Sequence, residues 1–278
     1  MPKIIQTNEQ LKSLIPNQLV TVKGEQSLFD KLVPFLDLAE VWVMDNFTST
    51  TTFNVICGYS ADNPIRQLTA RLVVADAMRR AIPSLDVVFT PNGLATVGTQ
   101  NLVAASKIRV DRLVGSMLTP RDECIAAPLP ALPGASKWLT SARADFFGST
   151  LFPDLSIIDE IGADGSKWEK YISLRTQIID LEASLAEEWL SPELMSALRS
   201  ENLRSDLTQP RGLVVNQVKA QIVRYLREGS FNSRRLADIV NYIRQSPNDF
   251  PEWHQSATAA LFAPPIFKND KRSGGYFF

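Results

Sequence analysis

One histidine, His254, and two cysteines, Cys57 and Cys124, are all that 278 residues contain of these types. A lone imidazole cannot supply the repeated His ligands of common metal centres. Two thiols so far apart in sequence give neither a disulfide framework nor a zinc spacing. The thiols are expected reduced, in a chain made in a reducing compartment. An excess of charge of either sign is missing too: the formal net charge is −1, so no whole-surface attraction to nucleic acid or anionic lipid is expected. No stretch approaches the ~18 uninterrupted apolar residues of a membrane span. The opening Met-Pro-Lys-Ile-Ile-Gln has no signal-peptide core. No membrane partner is expected.

Chemistry-bearing patterns are equally scarce. His254 sits in Pro-Glu-Trp-His, with no nucleophile placed for triad logic. Asp180, Glu182, Glu187 and Glu188 lie on one helical stretch without the Glu-x-x-His partners of a di-metal bundle. Gly162-Ala-Asp-Gly165 is too short for a phosphate cradle, and Gly93 to Gly98 lacks the P-loop lysine. The expectation is a protein that is not an enzyme, with no catalytic residue, no cofactor and no metal.

Helical periodicity fills most of the chain. Leu28, Leu32, Phe35, Leu38, Trp42 and Val43 share one face, with Pro34 marking a kink or a late helix start. Thr48 to Thr52 is β-branched and reads as a loop or edge strand. Asn63-Pro64 opens a helix expected to stop before Pro83. Further helices are expected over 101–117, over 138–152 and after the capping box Ser166-x-x-Glu169. Others follow at 191, 213–228, 232–245 and 251–262.

Between two of these helices lies Asp86-Val-Val-Phe-Thr-Pro-Asn-Gly-Leu-Ala-Thr-Val-Gly98. Val87 to Thr90 are β-formers, Pro91-Asn92-Gly93 is turn chemistry, and Leu94 to Val97 alternate on the return, which spells a β-hairpin. Pieces of the surrounding helices recur: Phe35–Leu38 against Ile178–Leu181, Pro64–Met78 against Pro210–Arg224, and Ser106–Asp111 against Ser233–Asp238. Their offsets are 143, 146 and 127, and the last drop of 19 is about the size of the hairpin segment. The chain therefore reads as mainly α, with two related helical-bundle units, the first carrying an inserted β-hairpin, and an extended C-terminal arm. Pro128-Leu-Pro-Ala-Leu-Pro-Gly-Ala135 serves as the internal boundary. The expected division is a helical unit over 1–130 with the hairpin at 86–98, a second unit over 131–263 and an arm over 264–278.

Three features point outward. Residues 151–190 hold nine Asp/Glu against three Lys/Arg, and 201–245 hold eight Lys/Arg against four Asp/Glu. These are either solvated faces or complementary ones. Lys107, Arg109 and Arg112 on one helix, and Arg234, Arg235 and Arg244 on another, are the candidates for a nucleic-acid contact, though Asp111 and Asp238 follow a turn later. The arm carries Phe267, Tyr276, Phe277 and Phe278, and aromatics of this kind dock into a pocket, either on a partner or back on their own subunit. The candidate subunit or partner contacts are thus Val87, Phe89, Pro91, Asn92, Gly93, Leu94 and Val97 of the hairpin, with Phe267, Tyr276, Phe277 and Phe278 of the arm.

Residues 81–113, with Phe-Thr-Pro-Asn-Gly-Leu-Ala-Thr-Val followed by Ala-Ala-Ser-Lys-Ile-Arg-Val, resemble a poorly characterised family of structural proteins from tailed phages and prophages of Bacteroidetes. That family shows Leu-Thr-Pro-x-Gly-x-x-x-Val followed by Ala-x-Ser-Lys-x-Arg-Val. Phe89 and Asn92 depart from it without threatening the hairpin. The Trp-x-x-Ser spacing at 253 and the aromatic end are similar as well. The resemblance implies a virion protein made in the host bacterial cytoplasm. It would be a head–tail connector, adaptor or head-completion subunit in a ring, twelvefold by analogy, contacting portal and tail proteins. Double-stranded DNA would pass through without specific binding. A DNA-binding regulatory or packaging module, or a tail or baseplate component, is the alternative. No catalytic residue carries over.

Overall fold

In the computed structural model the described residues are 2–15, 27–85, 87–90, 93–96, 107–116, 118–162 and 164–263. Contacts divide the chain into Met1–Thr176 and Gln177–Phe278. Both are built almost wholly from helices.

The first unit opens with α1 (Asn8–Leu14), started by a Thr7/Gln10 capping box. Next come α2 (Leu28–Val43) and a π-helical turn over Met44–Thr48. Leu32, Leu36, Ala39 and Val43 form the buried face of α2, a 3–4 spacing that turns one side of the helix to the core. Ser49 then takes φ 69° and ψ 157° and caps α3 (Thr50–Cys57) with its hydroxyl. The β-branched run 48–52 is therefore the end of one helix and the start of another, not a loop or strand. The Ser49 cap and the burial of Thr52, Phe53 and Ile56 outweigh local β-propensity.

Helix α4 (Pro64–Leu85) runs through Pro83 rather than stopping before it. The proline falls in the last turn, and buried Ala81 and Ile82 hold that turn against the unit. Two short strands follow, β1 (Val87–Thr90) and β2 (Gly93–Thr96), paired antiparallel from Val87 opposite Thr96 to Thr90 opposite Gly93. Helices α5 (Lys107–Ser116) and α6 (Leu118–Ala126) come next. The described part of α5 begins six residues later than its sequence pattern.

The proline-rich stretch folds as a 3-10 turn over Leu129–Gly134 with Leu129 and Leu132 buried, inside the first unit. The contacts instead part at 176/177, within α9. Proline here shapes a tight buried turn rather than a linker. The helix expected over 138–152 is two pieces, a 3-10 turn Trp138–Thr140 and α7 (Ala142–Gly148), broken where Ser141 caps α7. Helix α8 (Ser156–Ile161) precedes α9 (Lys167–Leu185), whose first residues belong to this unit. Phe47, Trp138, Phe147, Trp168 and Tyr171 are all buried and form the aromatic centre of the unit.

The second unit takes the rest of α9, a π-helical turn over Ala186–Leu190, and α10 (Pro192–Arg204) capped by Ser191. Then come α11 (Gln209–Glu228), ended by Gly229 at φ 76°, and α12 (Ser233–Gln245), capped by Asn232. The last described helices are α13 (Pro251–His254) and α14 (Ala257–Leu261). Val214, Val218 and Ile222 of α11 and Leu236, Ile239, Val240 and Ile243 of α12 supply its core.

Candidate functional site

The most elaborated polar construction occurs twice, once inside each unit. Each time a helix passes into a π turn and then a serine held at φ 69°, Ser49 or Ser191. A π turn inserts one extra residue and leaves carbonyls in need of donors. In the first unit the Trp138 indole N–H donates to the Phe47 carbonyl at 2.7 Å. In the second, Trp253 donates to Trp189 at 2.9 Å. Phe47 and Trp189 hold the same place, two residues before the strained serine.

Each tryptophan opens a Trp-x-x-Ser sequence. Ser141 donates to the Trp138 carbonyl at 2.6 Å and accepts from Ala144 N at 3.3 Å. Ser256 donates to the Trp253 carbonyl at 2.6 Å and accepts from Ala259 N at 3.2 Å. A phenylalanine follows on the next turns. Phe147 packs on Phe47 and Trp138, and Phe262 packs on Trp189 and Trp253. Only the Trp-x-x-Ser at 253 enters the family resemblance, although the same spacing at 138–141 is equally legible in the chain.

Nine residues before each serine lies a buried carboxylate, Glu40 or Glu182. Their neutralisation differs. Glu182 is met by Arg199 Nε at 2.7 Å. In the first unit the position equivalent to Arg199 is Cys57, which carries no charge, and the N-terminal segment supplies the partners instead. Ile4 N donates to Glu40 Oε1 at 2.9 Å, and Lys3 Nζ lies 3.1 Å from Oε2 and 2.6 Å from Asp37. The hydrogen bond to Asp37, helped by Glu40, raises the Lys3 pKa against the opposing effect of burial. Burial, and then the charge of Glu40, push the Cys57 thiol up to about 11. Such a thiol is poorly nucleophilic.

The other candidates resolve as follows. Glu187 and Glu188 are exposed while Glu182 is buried, so the three acids do not converge. His254 Nε2 lies 3.1 Å from the Ile243 carbonyl, a helix-to-helix tie. Arg211, inside the basic 201–245 stretch, is buried between Glu201 at 2.5 Å and Glu252 at 2.6 Å. That stretch is thus partly self-neutralised. Arg234, Arg235 and Arg244 are exposed on α12, and Lys107 and Arg112 on α5. Among the described residues, no group of three or more His, Cys, Asp or Glu could hold a metal, and no helix is long and apolar enough to cross a membrane.

Of the predicted contact residues, Val87 and Phe89 lie on β1 and Gly93 and Leu94 on β2. Pro91, Asn92, Val97, Phe267, Tyr276, Phe277 and Phe278 lie outside the described residues, as does the whole of the 264–278 arm. Two clefts border the N-terminal segment. One, of about 280 Å³, has Ile4, Ile5 and Ala70 as its apolar wall and Arg66, Gln67 and Gln10 as its polar one. The other, of about 210 Å³, is lined by Phe29, Val33 and Leu36 beside Lys3, Asp37 and Glu40.

Residues 18–145 match a family of unknown function, DUF6712. The matched span takes in Ser49, both strands, Trp138 and Ser141, and it ends inside α7. No curated protein and no solved structure matches the chain.

Proposed function

We propose that the protein is a structural virion component, a subunit of a head–tail connector or adaptor ring that joins portal to tail and surrounds the DNA channel. The observation that carries this reading is where β1 and β2 stand. Eighty-nine positions separate Ser49 from Trp138, but 62 separate Ser191 from Trp253. The strand pair falls in the longer interval, between elements that otherwise recur. We read it as a finger inserted into one copy of a duplicated helical unit. Among the described residues the sheet has two strands, and an isolated two-stranded ribbon is marginal in water. Its outer edges are able to accept a strand from a neighbour.

A ring needs two different faces per subunit, and a finger present in one unit but not the other makes the subunit two-faced. A near-zero net charge suits a conduit, because many phosphate contacts would grip DNA in a salt-dependent way. Replacing residues 86–98 with a short Gly-Ser link should abolish assembly while leaving helical content intact. Unchanged assembly would remove the finger from this account. The protein should also be present in purified particles at a fixed copy number.

The exposed Arg234 and Arg235 in the first turn of α12, which holds no acid, favour a second reading as a DNA-binding or packaging module. Duplex binding that falls steeply with salt and is lost on reversing both charges would support it. A tail or baseplate location belongs to the same structural class.

A further inference from the structure

The outer side of α2 is apolar where the corresponding helix of the second unit is not. Val33, Pro34, Leu38 and Val41 are exposed, Leu38 at 54 % and Val41 at 48 %. Aligning Ser49 with Ser191 puts Arg175, Thr176, Asp180 and Ala183 at those places on α9. The two helices bury matching faces, so the comparison isolates the difference to the outside. Three large apolar side chains and a proline on a solvated helix face mark a contact surface.

Its charge says what the contact carries. Asp30, Asp37 and Asp45 stand among the apolar residues and are exposed, with Lys31 on the same helix and Lys3 paired to Asp37. Residues 264–278 have the complementary makeup: Phe267, Tyr276, Phe277 and Phe278 with Lys268, Lys271 and Arg272 against one acid, Asp270. Fifteen residues can extend about 50 Å, and sixteen residues of helix measure about 24 Å. The segment is long enough to lie along the whole of α2.

We infer that the outer face of α2 receives the 264–278 segment of a second copy of this chain, aromatics on Val33, Leu38 and Val41 and basic side chains on the aspartates. This rests on the ring reading and names its contact: a receptor face and a donor segment, one of each per subunit, generate head-to-tail closure.

A photo-crosslinking residue placed at Phe277 in the full chain tests it. The expected product is a species of twice the chain mass on a denaturing gel, with the crosslink mapped by mass spectrometry to residues 29–45. Crosslinks confined within one chain overturn the inference. Crosslinks to another region, or none, in a protein that still assembles overturn it while leaving the ring reading in place. A protein that is monomeric throughout overturns both. Independently, Leu38→Asp with Val41→Asp, at solvent-facing positions, should weaken self-association at least tenfold with helical content unchanged. Unaltered association contradicts the assignment.

Discussion

The indole of Trp138 reaches the carbonyl of Phe47 at 2.7 Å from 91 positions away and so joins the π turn that follows α2 to the 3-10 turn that precedes α7. Because that carbonyl is buried at the end of a π turn, no water replaces the donor. Trp138→Phe should therefore cost about 2–4 kcal/mol, the stranded acceptor adding to the lost volume. Trp253→Phe should cost a similar amount through Trp189. Urea denaturation of the two variants, followed by circular dichroism, measures both. A loss below about 1 kcal/mol for either would show that the indole bonds matter little.

Ser191 makes a sharper test because two effects oppose each other there. Its backbone lies in a region that only glycine occupies freely, at a cost of about 1–3 kcal/mol. Its hydroxyl accepts from Leu194 N at 3.2 Å, a cap worth about 1 kcal/mol against alanine and a few tenths against glycine. Ser191→Gly should leave stability unchanged or raise it, and Ser191→Ala should lower it. The order Gly, Ser, Ala in melting temperature is the expected result, with the same order at Ser49.

Arg199 faces a carboxylate with no exposure. Arg199→Met should destabilise the chain by about 3 kcal/mol, since the charge left behind is buried. Adding Glu182→Gln should recover most of that loss. A double variant no better than the single one would show that the charge pairing is not the cause.

Cys57 gives a pH dependence. With its thiol at about 11 instead of 9.0, the reactive thiolate at pH 8 is about 100-fold scarcer than for an ordinary thiol. Alkylation of native protein should be slower by about that factor and should recover on unfolding. The folded value lies above the unfolded one, so this group's contribution to stability is complete below pH 9 and disappears as pH rises through 11. Fast alkylation of the native chain at pH 8 would contradict the burial of the thiol.

Much of the helical content is legible because the apolar spacing on α11 and α12 follows one helix face, whereas on α2 Leu38 shares the spacing of Leu32 and yet is exposed. The breaks are not legible. Thr48–Thr52 reads as extended until Ser49 is seen capping α3, and Trp138–Phe152 reads as one helix until Ser141 is seen doing the same for α7. Pro83 and the prolines of 128–135 look like punctuation in the sequence, although buried neighbours carry the chain through both. Helix fragments in the sequence put the recurrence at offsets of 143, 146 and 127. The π turns and strained serines set it at 142, because a π turn leaves no mark in hydrophobic spacing. The ties of Glu40 to Lys3 and of Arg211 to Glu252 join distant positions, and nothing local in the chain announces them.

The measurement that bears most directly on the proposed role is the particle formed by the purified full-length protein, by mass photometry with negative-stain imaging. The account predicts closed rings of identical subunits that fall apart when residues 264–278 are removed. A population of single 30.9 kDa chains at every concentration, with no ring in any field, would contradict it.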